Sequence, residues 1–109
     1  MILDDERMAA VTANVMTLLD LDDGETAKVT ILVEDADSEA AAYINYKAGA
    51  INYGGIDAVI RDMAIEKYNL LGNEGINSRA YGGISESYID GYAPSIYKRL
   101  NAYRIIRTM

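Results

Sequence analysis

A chain of 109 residues is sized for one domain with a modest core. The absence of cysteine excludes disulfides and thiolate metal sites, and the absence of histidine removes the commonest general base and transition-metal ligand. Seventeen acids against ten lysines and arginines set a formal net charge of −7, which argues against a domain built to grip nucleic acid. Met8, Val11, Val15, Leu18 and Leu19 recur at the spacing of one helical face. A first helix is therefore expected from Asp4 or Asp5 to about Leu19, with acids at its positive end. The run Asp20-Leu21-Asp22-Asp23-Gly24 breaks it. Alternating carboxylates there suggest a calcium loop, but Gly24 falls fifth rather than sixth and the twelfth position is Ile31 rather than Glu.

Asp22 with Glu25 three residues later instead matches a capping box opening a second helix, about Glu25 to Tyr46. Its apolar stripe is Val29, Leu32, Val33, Ala36, Ala40, Tyr43 and Ile44. Asp35, Asp37, Ser38 and Glu39 are expected mostly on its other faces. Gly54-Gly55 signals a break, and a third helix follows from about Ile56 to Leu71 along Ile56, Val59, Ile60, Met63, Ala64 and Leu71. On it, Asp57 and Arg61 are spaced to attract, Asp62 and Glu66 to repel. Gly72 is expected to stop this helix. About twenty residues without helical periodicity come next, a length that is usually functional or disordered. Within them the alternation from Ile84 to Ile89, after Gly82-Gly83, reads as half of a β-hairpin. Pro94 suits the first turn of a fourth helix running to about Arg107, with Ile96, Leu100 and Tyr103 on one face. The expected fold is all-α: one domain over residues 1–109, a bundle of about four helices with a long Gly/Ser/Tyr loop before the last.

Catalytic patterns are weak. Ser78, Ser85 and Ser87 have no histidine to activate them, and the glycine pairs lack the Lys-Ser/Thr ending of a phosphate-binding loop. No catalytic residue, metal ligand or cofactor is expected, and the chain does not read as an enzyme. No apolar run reaches the length of a membrane span, and no secretory signal opens the sequence. Nine tyrosines with no Phe or Trp point to surfaces that become interfaces, since a tyrosine buries its ring while keeping a polar end. The acids crowd the first third of the chain. The last helix carries Lys98, Arg99, Arg104 and Arg107, with no acid after Asp90. Opposite-sign ends suit head-to-tail association of identical subunits, and the same pattern also fits ordinary solvated surface with favourable helix dipoles.

Glu66-Lys67-Tyr68-Asn69, Gly72-Asn73-Glu74-Gly75, Ser78, Gly82-Gly83, Ser85 and Ser87-Tyr88 occur in an order that resembles the small head–tail connector (head-completion or adaptor) proteins of tailed bacteriophages. Leu100-Asn101-Ala102-Tyr103-Arg104 with Arg107 fits the same family, and the resemblance spans roughly Val15 to Arg107. It implies a mostly helical subunit that assembles as a ring (twelve-fold on the portal) at the capsid vertex. There it extends the DNA channel after packaging and carries the stopper or tail-completion protein. DNA would pass without sequence-specific binding and no membrane would be involved. The chain would be found in the virion neck, and in the host cytoplasm during assembly. Carried over, Tyr97, Lys98, Arg99, Arg104 and Arg107 are the expected portal-binding residues. Glu74, Gly75, Ser78, Tyr81, Ser85 and Tyr88 are the expected contacts to a neighbouring subunit or neck component. An acidic regulatory or DNA-mimic protein that binds a nucleic-acid enzyme is the alternative.

Overall fold

Asp4 opens the first helix: its carboxylate accepts the Arg7 backbone N–H at 2.8 Å, satisfying one of the donors a helix start leaves orphaned. In the computed structural model, which describes residues 2–72 and 92–105, helix α1 (Asp5–Leu18) follows. It is closed by Asp20 in the left-handed region (φ 54°). Leu21 N–H reaches Met16 O at 2.9 Å and Asp20 N–H reaches Thr17 O at 3.2 Å, the paired bonds of a Schellman stop. A single 3-10 turn (Asp23–Glu25) leads into α2 (Thr26–Ile44). The capping box expected here does not form. The Asp22 carboxylate takes the Gly24 N–H at 3.0 Å, and the Glu25 carboxylate turns away to accept the Tyr68 hydroxyl at 2.9 Å.

Helix α2 ends as α1 does, on a non-glycine: Asn45 is left-handed (φ 58°), and Tyr46 N–H closes on Ala41 O at 2.9 Å. Asn and Asp tolerate this conformation better than other side chains, which is why both helices stop a few residues from the nearest glycine. Helix α3 (Ile56–Gly72) and helix α4 (Pro94–Asn101) complete the all-α bundle, and no strand occurs among the described residues. The hairpin expected after Gly82-Gly83 lies outside them.

Helices α2 and α3 form the central pair, and α1 and α4 each pack against both of its members. Contact between α1 and α4 is minor or absent, so the two occupy different grooves of the central pair and flank it on opposite sides. Val15, Val29, Val33, Ala36, Ala40, Ile44, Ile56, Ile60, Met63, Ala64, Ile96 and Leu100 form the sequestered centre. The predicted stripes therefore face the core, except at two ends: Leu18 is 59% exposed and Leu71 39%.

Two acids expected on the outer faces of α2 are buried instead. The Asp37 carboxylate accepts the N–H groups of Ile2 and Leu3, both at 2.8 Å, and fastens the start of the chain over the core. Glu39 is held by Lys67 and Tyr92. Helix α4 also stops earlier than its apolar residues predict. The N–H groups of Ala102, Tyr103 and Arg104 tighten onto carbonyls three residues back, and Ile105 then leaves the helix. Its N–H donates to Ile44 O at 2.9 Å, and its carbonyl accepts the Asn45 side-chain amide at 2.8 Å. These two bonds at the exposed end of α2 give Ile105 partners that another helical turn would deny it.

Candidate functional site

At the end of the bundle where α2 stops, four elements contribute tyrosines. Tyr43 belongs to α2, Tyr46 and Tyr53 to the connection into α3, and Tyr97 and Tyr103 to α4 and its exit. The rings of Tyr43 and Tyr97 are 5.6 Å apart and tilted. Those of Tyr46 and Tyr53 meet edge to face at 4.8 Å, and Tyr53 stacks with Tyr103 at 6.5 Å. Such offset and edge contacts are the arrangements ring quadrupoles favour. The polar ends are tied down: Tyr43 donates to Asn101 Oδ1 at 2.9 Å, and Tyr53 donates to Lys47 O at 3.2 Å. Gly55 lies close under this packing: a Cβ there would sit 2.6 Å from the Tyr103 hydroxyl oxygen, so that ring would have to shift.

Arg104 completes the pole. Its guanidinium lies 4.9 Å above the Tyr43 ring, on the solvent side. A cation held flat on an aromatic face keeps its hydrogen-bonding edge outward, and Tyr and Arg are the residues most enriched at interface hot spots. Lys47 and Ile51 in the α2–α3 connection are exposed, and no acid lies between Glu39 and Asp57 in the chain.

The residues expected to bind the portal are thus divided. Arg104 and Tyr97 come together, both against the ring of Tyr43. Lys98 is exposed on the outer face of α4, away from Ile96 and Leu100. Arg99 is engaged within the subunit, donating to Asp62 at 2.7 Å. Burial pushes the Asp62 carboxyl up, but hydrogen bonds from Arg99 and Arg61 outweigh it and hold the group below the usual carboxylate value. Arg107 lies outside the described residues, as do Glu74, Gly75, Ser78, Tyr81, Ser85 and Tyr88.

The start of α4 is fixed by a polar cluster that sequence reasoning missed. Tyr92, two residues before Pro94, is buried and donates its hydroxyl to Glu39. The other Glu39 oxygen accepts Lys67 Nζ at 2.9 Å, and that ammonium lies 5.9 Å from the Tyr92 ring centre. Glu66 accepts the Ala93 N–H at 3.1 Å. Burial first, then the Glu39 carboxylate, pushes the Tyr92 phenol well above its ordinary value. The signal for Asp37 was present in the sequence: it stands four residues after Val33 and three before Ala40, on the apolar stripe itself.

The model of the phage gp6-like head-tail connector protein family matches residues 17–104. The chain belongs to this family. No curated protein and no solved structure matches it. The family match begins in the last turn of α1, so it takes in α2, α3, α4, the segment between the last two, and the whole aromatic pole. Membership implies contact with the portal and tail proteins of a phage and a place in the virion. Among the described residues no helix is long and apolar enough to cross a membrane.

Proposed function

We propose that this connector protein, as one helical domain over residues 1–109, is a non-enzymatic structural element of the phage neck. It assembles as a ring on the portal, lengthens the DNA channel after packaging and carries the stopper or tail-completion protein. The observation that supports this most directly is the pole of Tyr43, Tyr97 and Arg104 inside the family-matched region, an exposed cation on a preorganised aromatic bed. Preorganisation matters because an interface side chain that is already held loses little freedom on binding. In this reading Arg104, with Arg107 nearby in the chain, faces the portal. The segment carrying Glu74, Gly75, Ser78, Tyr81, Ser85 and Tyr88 meets the next neck component. The net charge of −7 suits a channel wall, since it repels passing phosphates rather than retaining them.

The test is negative-stain imaging and sedimentation of the full chain, alone and with its portal protein. A closed ring or an added layer on the portal is expected, with Arg104→Glu abolishing the layer and leaving the helical signal intact. A monomer that ignores the portal at high concentration would overturn the reading.

A further inference from the structure

Along the outer side of α1, next to the start of α2, runs an open groove of about 810 Å³. Met8, Met16 and Leu21 form apolar patches in its lining, and Asp5, Asp20 and Asp23 stand along it, with no lysine or arginine among the lining residues. Thr12 also lines it. This residue is only 7% exposed, and its hydroxyl oxygen has no hydrogen-bond partner among the described residues. A hydroxyl at a helix position commonly satisfies itself on the preceding turn. Here that oxygen is itself shielded, beneath the surface of the groove. The groove is thus acidic and partly apolar.

The opposite side of the same subunit carries the complement. Helix α4 contains no acid, and its outer face shows Ser95 and Lys98, both exposed. Lys98 makes no ion pair among the described residues, although the chain as a whole has an excess of acids. Since α1 and α4 flank the α2–α3 pair on opposite sides, the two faces cannot meet within one subunit. They can meet only between subunits, in a heterologous contact, which repeats and gives a ring when its rotation closes. The lengths are compatible: from Asp5 to Asp20 the groove follows α1 for roughly 22 Å, and the eight residues of α4 span roughly 12 Å.

We infer that the α1 groove is the seat for α4 of the neighbouring copy of this chain. Lys98 is drawn to Asp20 and Asp23. The inference rests on the ring reading and specifies its lateral contact. Half of the residues that line the groove, from Asp5 to Met16, precede the family-matched residues.

The absence of cysteine in the chain makes the test direct. A double variant, Ala13→Cys with Ser95→Cys, is expected to give a ladder of disulfide-linked multimers when the assembled full chain is oxidised, while each single variant gives none. Lys98→Glu and Asp23→Lys should each raise the concentration needed for half-assembly roughly tenfold, because like charges then face each other. Combining the two in one chain should restore assembly. Wild-type rings that form without a ladder and are indifferent to both charge changes would overturn the inference and leave the ring reading standing. A wild-type chain that stays monomeric with and without the portal would overturn both.

Discussion

The two flanks of the α2–α3 pair are built differently. On one side α1 has fourteen residues and buries Val11, Thr12 and Val15, and the chain before it adds Ile2 and Leu3 to the core. On the other, α4 has eight residues and buries only Ile96 and Leu100. At about 25 cal/mol per Å² of apolar surface, two side chains supply only a few kcal/mol against the entropy of ordering that segment. The shorter helix is therefore secured by polar ties at each stage. Tyr92 and Ala93 are held before it by Glu39 and Glu66, Arg99 within it by Asp62, and Ile105 after it by Ile44 and Asn45. The longer helix needs fewer. Asp37 fixes the chain start, and Arg7 pairs with Asp57 across to α3. An apolar face that is long enough can hold a helix by burial, whereas a short one has to be held in place by specific bonds.

That contrast can be broken most severely at Glu39. Glu39→Ala removes the carboxylate that both Lys67 and Tyr92 hold, and should cost about 3 kcal/mol in urea denaturation. The loss should be accompanied by detachment of α4, read as lost hydrogen-exchange protection of Leu100 while α1 amides stay protected. Equal loss on both flanks would mean that the cluster supports the whole core rather than α4.

On the α1 side, Asp37→Ala should cost about 2 kcal/mol, because two buried N–H groups lose a charged acceptor. Here the exchange signature is local to Ile2 and Leu3, and α4 should be unaffected. Tyr92→Phe sharpens the comparison at about 1 kcal/mol, since only the hydroxyl is removed. The phenol is raised in the folded state, so its contribution is complete below the ordinary tyrosine pKa of about 10 and is lost as pH rises above it. The variant should accordingly show a shallower alkaline loss of stability than the wild type.

The smallest effect belongs to Arg99→Ala. The pair with Asp62 is partly solvated, and about 0.5 kcal/mol is expected at neutral pH. Asp62 is held below the usual carboxylate value, so this contribution is present above about pH 4 and disappears as pH falls through the lowered value. Stability curves of variant and wild type should converge in acid. Curves that remain separated would assign Arg99 a packing role instead.

Much of the molecule was legible from its residues in order. The 3.6-residue recurrence of Val29, Val33, Ala36, Ala40 and Ile44, and of Ile56, Val59, Ile60 and Met63, located the two central helices, because amphipathic periodicity is a local property. Pro94 located the start of α4 for the same reason. The separation of acids from cations along the chain was also plain, as was the family, from motifs within and around α3 and α4. What the sequence could not decide were matters of long-range partnership. Asp37 stood on the apolar stripe and Glu39 resembled a surface acid, but the partners of both, the backbone N–H groups, Lys67 and Tyr92, arrive from 28 to 53 residues away. Tyr43, Tyr46 and Tyr53 were ordinary stripe or loop tyrosines until Tyr97, Tyr103 and Arg104 closed over them. The length of α4 followed the same rule: its apolar residues continue past Asn101, but the chain leaves the helix because Ile44 and Asn45 offer Ile105 bonds there. Periodicity depends on neighbours three and four residues apart, so it can be read in the chain. The partner of a buried charge or ring depends on how separate helices pack, and only the tertiary structure decides that.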